Sequence, residues 1–183
     1  MLGGSPETAT APRRIETPLG PATGVACGGA HACVTLEAGG VACWGGNNRF
    51  QLGNDGPGAQ PTPTRVAKVD GPVAEVVCGQ YHTCIRRQDG GVACWGQNVF
   101  GTLGNGAFVD LPEPFAVPLP SGARDLATQA NHNYALLDDG ALWSWGYNQD
   151  GQLGNGARTT SAVPVQAGPL PAELVAVAAG ADH

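Results

Sequence analysis

One stretch of sequence decides the fold: residues 28–54, GGAHACVTLEAGGVACWGGNNRFQLGN. It returns at 79–105 as GQYHTCIRRQDGGVACWGQNVFGTLGN and at 129–155 as QANHNYALLDDGALWSWGYNQDGQLGN. Its histidine recurs at spacings of 51 and 50 residues, and His183 follows 51 residues after the third copy. Self-similarity at a fixed period of this length indicates a repeat architecture, in which each copy is one structural unit.

Each unit predicts four short strands. In the first unit they fall at 25–27, 32–36, 41–44 and 65–69, and the last of them recurs near 115–119 and 163–167. A three-residue loop joins the second strand to the third and ends in Gly, which adopts the left-handed conformation at little cost. Four antiparallel strands in about fifty residues are typical of a propeller blade. The sequence therefore predicts an all-β fold, a β-propeller of four-stranded antiparallel blades with about three blades present.

The predicted organisation is a flexible lead-in, 1–11, followed by a partial propeller, 12–183. Its units are 22–70, 71–120, 121–170 and the start of a further unit at 171–183. The repeat region begins on the remnant of a fourth strand near 12–17, and the sequence ends within a turn at His183. Three blades do not close a ring, so we expect either a fragment of a longer protein or several copies that complete the ring together.

Three motifs recur in the units. Gly28 to His31 carries G-x-x-H, Trp44 to Asn47 carries W-G-x-N, and Gly151 to Gly154 carries G-Q-L-G. These motifs resemble the regulator-of-chromosome-condensation repeat family, and the copies with cysteines look like its bacterial-type variant. Two positions depart from the family pattern, since Phe50 replaces a glycine and Thr102 a glutamine. The resemblance covers nearly the whole chain and implies a seven-bladed ring, but one fold hosts many functions.

Composition and charge narrow the class of protein. Gly occurs 29 times and Pro 15 times, but the hydrophobic fraction of 42% is enough for a packed core and fits a turn-rich β protein. The formal net charge is −6 and no Lys/Arg cluster is longer than two, which argues against a nucleic-acid partner. No apolar run has the length of a membrane span, and residues 1–14 lack the apolar core of a signal peptide.

The six cysteines lie at matching positions of the first two units. Counting outward from the three-residue hairpin loop places Cys33 opposite Cys43 and Cys84 opposite Cys94. Directly opposed residues on antiparallel strands come within disulfide reach. We therefore predict two hairpin disulfides, which indicate an extracellular, cell-surface or periplasmic protein, whereas free thiols would indicate the cytoplasm.

Two alternatives for the cysteines stay open. Cys27 and Cys78 lie on equivalent strands of neighbouring units, where they pair with each other, remain thiols, or exchange partners with the other cysteines. The second alternative is zinc, because Cys27, His31, Cys33 and Cys43 form a Cys₃His set. Zinc is disfavoured because the spacing lacks a C-x₂-C knuckle and because the third unit keeps its histidine after losing every cysteine.

Candidate chemistry is sparse in this sequence, and we predict a protein that is not an enzyme and has no cofactor or metal. Each repeat histidine lies at the same turn without an acid or nucleophile of its own, so we expect it to hydrogen-bond the local backbone. Asp138 and Asp139 lie in a hairpin loop, where Asp is favoured for turn geometry. Neither a P-loop pattern nor a Gly-x-Ser-x-Gly motif occurs.

Positions that differ between the units are candidates for contact with a partner, because positions that agree hold the fold. Trp143 stands where the other units have Ala, and Phe108 lies in a long loop after the second unit. Asn131, Asn133 and Tyr147 also vary while their neighbours stay fixed. These five residues are the predicted contacts for a protein partner of unknown identity.

The function that this pattern favours is a non-enzymatic repeat scaffold that binds a protein partner through its blade loops. The family resemblance implies an alternative, a guanine-nucleotide exchange factor for a small GTPase. The even spacing of 50 to 51 residues contains no inserted segment that would serve as a wedge, which favours the scaffold. Further repeats or self-association would be needed to close the ring.

Overall fold

The structure, a computed structural model, describes residues 19–56, 58–69, 71–170 and 174–183. The predicted lead-in and the strand remnant near 12–17 lie outside these residues. Within the described residues, twelve strands form three sheets: β1 (Ala22–Cys27), β2 (His31–Leu36), β3 (Val41–Gly45) and β4 (Gln60–Arg65); β5 (Val73–Cys78), β6 (His82–Arg87), β7 (Val92–Gly96) and β8 (Leu111–Ala116); β9 (Ala123–Gln129), β10 (His132–Leu137), β11 (Leu142–Gly146) and β12 (Ser161–Gln166). Each sheet is an antiparallel blade with its strands in chain order, which confirms the all-β propeller prediction.

The central hairpin of each blade has the predicted register. The amide of Leu36 donates to the carbonyl of Gly40 (3.1 Å), which closes a three-residue loop, and Gly39 at its end has φ 83°. Cys33 lies directly opposite Cys43, and Cys84 lies opposite Cys94. The turn chemistry therefore fixes which side chains face each other across the hairpin.

The fourth strand of each blade begins earlier than the sequence predicted. It starts at Gln60, Leu111 and Ser161, whereas we expected strands from 65, 115 and 163. Prolines lie in all three strands, at positions 61 and 63 of β4, 112 and 114 of β8, and 164 of β12. They are tolerated because the fourth strand is the edge of its blade, where a missing N–H costs no ladder hydrogen bond.

Two hydrophobic clusters lie between the blades and form most of the core. The first joins Cys33 and Cys43 of blade 1 to Val76, Ile85 and Trp95 of blade 2. The second joins the equivalent face of blade 2 to blade 3 and includes the fully buried Trp145. Blades 2 and 3 therefore each bury their tryptophan face against the cysteine-bearing face of the blade before them.

The order of the strands gives the protein two ends. The β1–β2, β5–β6 and β9–β10 turns lie at the same end as the long loops 46–59, 97–110 and 147–160, and we call this the loop end. The three central hairpins lie at the opposite end. A fourth copy of the turn forms near the end of the sequence, where the Gly180 amide donates to the His183 carbonyl at 2.7 Å. None of the described residues belongs to a helix that could cross a membrane.

Candidate interaction surface

An asparagine fixes the shape of each long loop. Asn98 accepts a hydrogen bond from the Leu103 amide (2.9 Å) and donates to Asn105 Oδ1 and the Ala107 carbonyl (both 2.9 Å). Asn98 is fully buried, so these bonds are shielded from water. The same contact with an amide five residues on is made by Asn47 to Leu52 and by Asn148 to Leu153. The W-G-x-N and L-G-N motifs thus lie at the two ends of one loop, whose shape the asparagine side chain fixes by hydrogen bonds.

Two tryptophans tie the first two long loops to the blade that follows each of them. The Gln51 carbonyl accepts hydrogen bonds from Trp95 Nε1 (3.0 Å) and Thr83 Oγ1 (2.8 Å). The Thr102 carbonyl likewise accepts from Trp145 Nε1 (3.0 Å) and from the Asn133 side chain (2.9 Å). These bonds connect blade 1 to blade 2 and blade 2 to blade 3, so the loops are held by the neighbouring blades.

The repeat histidines reach across the blade interfaces, which corrects the expectation that they bond the local backbone. His31 Nε2 lies 2.8 Å from Thr83 Oγ1, and His82 Nε2 lies 2.9 Å from both Asn133 Oδ1 and Thr128 Oγ1. Burial lowers the pKa of His31 and of His82 to about 4, so both are neutral imidazoles at neutral pH. Their place in the structure is that of hydrogen-bonding groups between blades.

An apolar patch is exposed at the loop end. Phe108 and Val109 are 54% and 68% exposed, and Val163 of the next blade is 47% exposed. The Gly106 amide donates to the Ala162 carbonyl (2.8 Å), so the loop that carries Phe108 lies against β12. We call Phe108, Val109 and Val163 the apolar loop patch. Large exposed apolar side chains on a fixed loop are typical of contact surfaces.

Charged and aromatic groups also lie in the long loops of the loop end. Asp110 accepts a hydrogen bond from the Asn98 amide (2.8 Å) and forms an ion pair with Arg49 of blade 1 (3.4 Å). The ring of Tyr147 lies edge-on to Phe100 at a centroid distance of 5.3 Å, across the interface between blades 2 and 3. The loop end therefore carries polar and charged side chains as well as exposed apolar ones, a mixture that protein interfaces also have.

Three of the five predicted contact residues lie at the loop end. Phe108 is exposed, whereas Tyr147 and Asn131 are half-buried. Tyr147 donates its hydroxyl to Gln149 Oε1 (2.9 Å), and its amide donates to the Asn131 carbonyl (2.9 Å). Within the described part of the chain, Asn131 Oδ1 has no hydrogen-bond partner.

The other two predicted contacts are used inside the protein. Asn133 is fully buried and bonds His82 and the Thr102 carbonyl, so it presents no surface to a partner. Trp143 is half-buried and packs against the cluster between blades 2 and 3. Both positions vary between units because each interface is filled differently, which a single sequence does not reveal.

Sequence reasoning missed Val109 and Val163 as parts of the exposed patch. The signal for Val109 was present, because Phe108-Val109 of blade 2 stands where the matching loop of blade 3 has Arg158-Thr159. Val163 gave no such signal, since alternation within a strand does not tell which face meets a neighbouring loop.

The predicted disulfide pairs come together in the structure. The Sγ atoms of Cys33 and Cys43 are 2.12 Å apart, and those of Cys84 and Cys94 are 2.11 Å apart. Both Cys27, which is exposed, and Cys78, which is buried, are free thiols. The zinc alternative placed Cys27 in the ligand set, but Cys78 is the thiol whose sulfur lies near His31 and Cys33.

Three four-stranded antiparallel blades, packed face to face in chain order, define a segment of a β-propeller. The family model described as "Regulator of chromosome condensation (RCC1) repeat" matches residues 38–86 and 139–183, and a second model of this repeat matches 73–102. The chain belongs to the RCC1 repeat family.

Relatives share the repeat within much longer proteins. The chain is 34% identical over 98 residues to the X-linked retinitis pigmentosa GTPase regulator homolog of Caenorhabditis elegans, a match that covers 52% of the chain and 7% of that protein. It is 33% identical over 115 residues to the human probable E3 ubiquitin-protein ligase HERC3, covering 62% of the chain and 11% of that protein. The chain therefore spans about a tenth of these relatives.

Solved structures show the same fold. Human WBSCR16 superposes with a TM-score of 0.71 at 28% identity, covering 78% of the chain and 38% of that protein. Yeast RCC1 (Prp20), solved bound to Kap60, superposes with a TM-score of 0.73 at 21% identity, covering 81% of the chain and 37% of that protein. The similarity to the yeast protein shows the fold alone.

Proposed function

We propose that this chain is a non-enzymatic scaffold that binds a protein partner at the loop end, through the apolar loop patch. One observation carries the proposal: Phe108 and Val109 are exposed on a loop whose counterpart in blade 3 has Arg158 and Thr159. The fold of the loop does not need apolar side chains at these positions. In blade 3, where the side chains are polar, Asn148 makes the same hydrogen bond that Asn98 makes in blade 2. Their exposure therefore serves something outside the fold.

The build of the loop favours binding by a preformed surface. Asn98 and the backbone bond from Gly106 to Ala162 hold the loop before any partner arrives. A preorganised surface loses less conformational entropy on association than a mobile one. Aromatic side chains are enriched among the residues that dominate binding energy, which points to Phe108 as the central contact. The acidic net charge of −6 supports a protein partner over a nucleic acid.

A site-specific photocrosslinker identifies the partner and tests the surface. Benzoylphenylalanine is placed at Val109, and in a matched protein at Thr159, the equivalent exposed position of blade 3. We expect one dominant crosslinked protein from position 109 and much less of it from position 159. Equal crosslinking at both positions, or no product at 109, would contradict the proposed surface. Accelerated nucleotide release from a small GTPase would instead support the exchange-factor alternative.

We further propose that the protein works in an oxidising compartment. The support is the geometry of Cys33–Cys43 and Cys84–Cys94, which lie at bonding distance in directly opposed pairs. Disulfides persist outside the cytosol and are reduced within it. Counting thiols in the protein isolated without reductant tests this proposal.

A further inference from the structure

The interface between blades 1 and 2 brings three soft metal-ligand groups together. A ring nitrogen of His31 and the sulfur atoms of Cys33 and Cys78 all lie within 4.8 Å of one another. The three residues are buried, with exposures of 5%, 0% and 5%. A histidine nitrogen and two cysteine sulfurs are groups that structural zinc sites accept as ligands.

We propose that reduction of the Cys33–Cys43 bond creates a site for one zinc-class metal ion between blades 1 and 2. Its ligands are His31, Cys33, Cys43 and Cys78, a Cys₃His set that structural zinc sites accept. Cys43 joins the set because it is bonded to Cys33 and becomes a second free thiol on the same blade when that bond is reduced. The ion would link the two blades, since Cys78 belongs to β5 and the other ligands to blade 1.

The site forms in two steps, reduction of the Cys33–Cys43 disulfide and then binding of the metal ion. A dithiol reductant gives two electrons and two protons to the Cys33–Cys43 bond and is itself oxidised to a disulfide. The divalent ion then displaces three thiol protons from Cys33, Cys43 and Cys78, and neutral His31 supplies a nitrogen lone pair. Because the disulfide and the metal use the same two sulfurs, the two states exclude each other.

The interface between blades 2 and 3 can be compared directly with the proposed metal site between blades 1 and 2. His82, Cys84 and Cys94 repeat the ligands of blade 1, but Thr128 stands at the position of Cys78. Thr128 Oγ1 lies 2.9 Å from His82 Nε2, so this position contacts the histidine. A neutral hydroxyl is a poor ligand for ions that select thiolates. The reduced protein should therefore bind one metal ion, at the first interface.

Cobalt(II) tests the site, because thiolate ligands give it an intense charge-transfer absorption. The full chain is made with Cys27→Ser, which removes the exposed thiol, and is reduced with a water-soluble phosphine. The phosphine takes the oxygen of water, leaves both thiols and competes little for the metal. We compare this protein with Cys78→Thr, which reproduces the second interface, and with Cys84→Ser/Cys94→Ser, which changes only the second interface.

The expected result is one equivalent of tetrahedral cobalt in the Cys27→Ser protein and in the Cys84→Ser/Cys94→Ser variant. Cys78→Thr should bind at least about tenfold more weakly, since losing even an outer partner of a ligand costs about 10- to 100-fold. Equal binding by Cys78→Thr, or loss of binding in the second-interface variant, would overturn the proposal. If the reduced protein unfolds, zinc should restore the near-ultraviolet circular dichroism of its buried tryptophans, and failure to do so contradicts the site.

Discussion

At the scale of single residues, the turn before Gln-Leu-Gly shows how one backbone angle selects the residue. Gly101 and Gly151 have φ 71° and 85°, and Phe50 takes the same conformation at φ 62° in blade 1. A side chain in this region costs about 1–2 kcal/mol. Blade 1 therefore carries strain that blades 2 and 3 avoid, at the position where its sequence departs from the family pattern.

Alanine at the two glycines should separate backbone strain from crowding. A Cβ at Gly151 meets nothing within 4 Å, whereas a Cβ at Gly101 would lie 2.5 Å from Ala162 Cα. We expect Gly151→Ala to lower the free energy of unfolding by about 1 kcal/mol and Gly101→Ala to lower it further. Urea unfolding measures both. A Gly101→Ala protein as stable as Gly151→Ala would contradict the close approach of the loop to β12.

His82 makes stability depend on pH in a defined direction. Its pKa is lowered from an ordinary value of 6.5 to about 4, mainly by burial; the hydrogen bond to Asn133 opposes this shift and the nearby His132 contributes to it. The unfolded state binds a proton at His82 more readily than the folded state does. The folded protein is therefore most stable, as far as His82 is concerned, above about pH 6.5, and it loses stability as the pH falls toward 4. The loss amounts to roughly 3 kcal/mol for a shift of this size.

A pH series of urea unfolding curves tests this coupling. His82→Gln should be less stable than the native protein at pH 7, because the amide does not reproduce both hydrogen bonds of the ring. Between pH 6.5 and 4 its stability should fall less steeply, by about one proton. His31 and His132 remain in both proteins and titrate in each; the variant also removes the Coulombic effect by which His82 lowers the pKa of His31, an effect smaller than that of burial. Identical slopes would show that His82 is not the group that titrates.

At the scale of the elements, blade 3 holds its central hairpin without a disulfide. Tyr134 and Ser144 replace the cysteine pair, and each donates a hydrogen bond to the loop that follows. The Tyr134 hydroxyl bonds the Gln152 carbonyl (2.6 Å), and Ser144 Oγ bonds the Leu153 carbonyl (2.7 Å). The covalent links of blades 1 and 2 are thus replaced in blade 3 by buried hydrogen bonds to its loop.

A thiol count under denaturing conditions tests the disulfides in the protein isolated without reductant. We expect two reactive thiols, from Cys27 and Cys78, out of six cysteines. Peptide mapping should then show Cys33 joined to Cys43 and Cys84 joined to Cys94. Six reactive thiols would refute both bonds and the oxidising compartment. Cys33→Ser/Cys43→Ser should cost about 2–3 kcal/mol of stability, because the bond closes a short loop of the unfolded chain.

The elements themselves followed well from the sequence, with one systematic error. Hairpin register was predictable because a Gly-ended loop of three residues leaves one pairing of Cys33 with Cys43. The starts of β4 and β8 gave no strand signal, because Pro61 and Pro112 lie there and proline is rare in strands except at an edge. Which strand is an edge follows from the sheet order, which is a property of the whole blade.

At the scale of the whole molecule, the blades are joined by bonds that no single repeat predicts. Trp145 donates to the Thr102 carbonyl and His82 bonds Asn133, so each contact needs residues from two repeats. The repeat period revealed the number of blades, but not which face of one meets the next. For this reason Asn133 and Trp143 were predicted as surface contacts and lie wholly or partly in an interface. Phe108 was predictable as a surface residue because its side chain is exposed and does not lie in an interface between blades.

The central claim is that the apolar loop patch binds a protein partner, and a loop exchange tests it most directly. Phe108→Arg/Val109→Thr gives blade 2 the loop residues of blade 3, and stability should change by less than about 0.5 kcal/mol because both side chains are exposed. Calorimetric titration with the partner found by crosslinking should show affinity reduced at least about tenfold, which corresponds to about 1.4 kcal/mol. The matched variant Arg158→Ala/Thr159→Ala should bind as the native protein does. Unchanged affinity in Phe108→Arg/Val109→Thr would contradict the account.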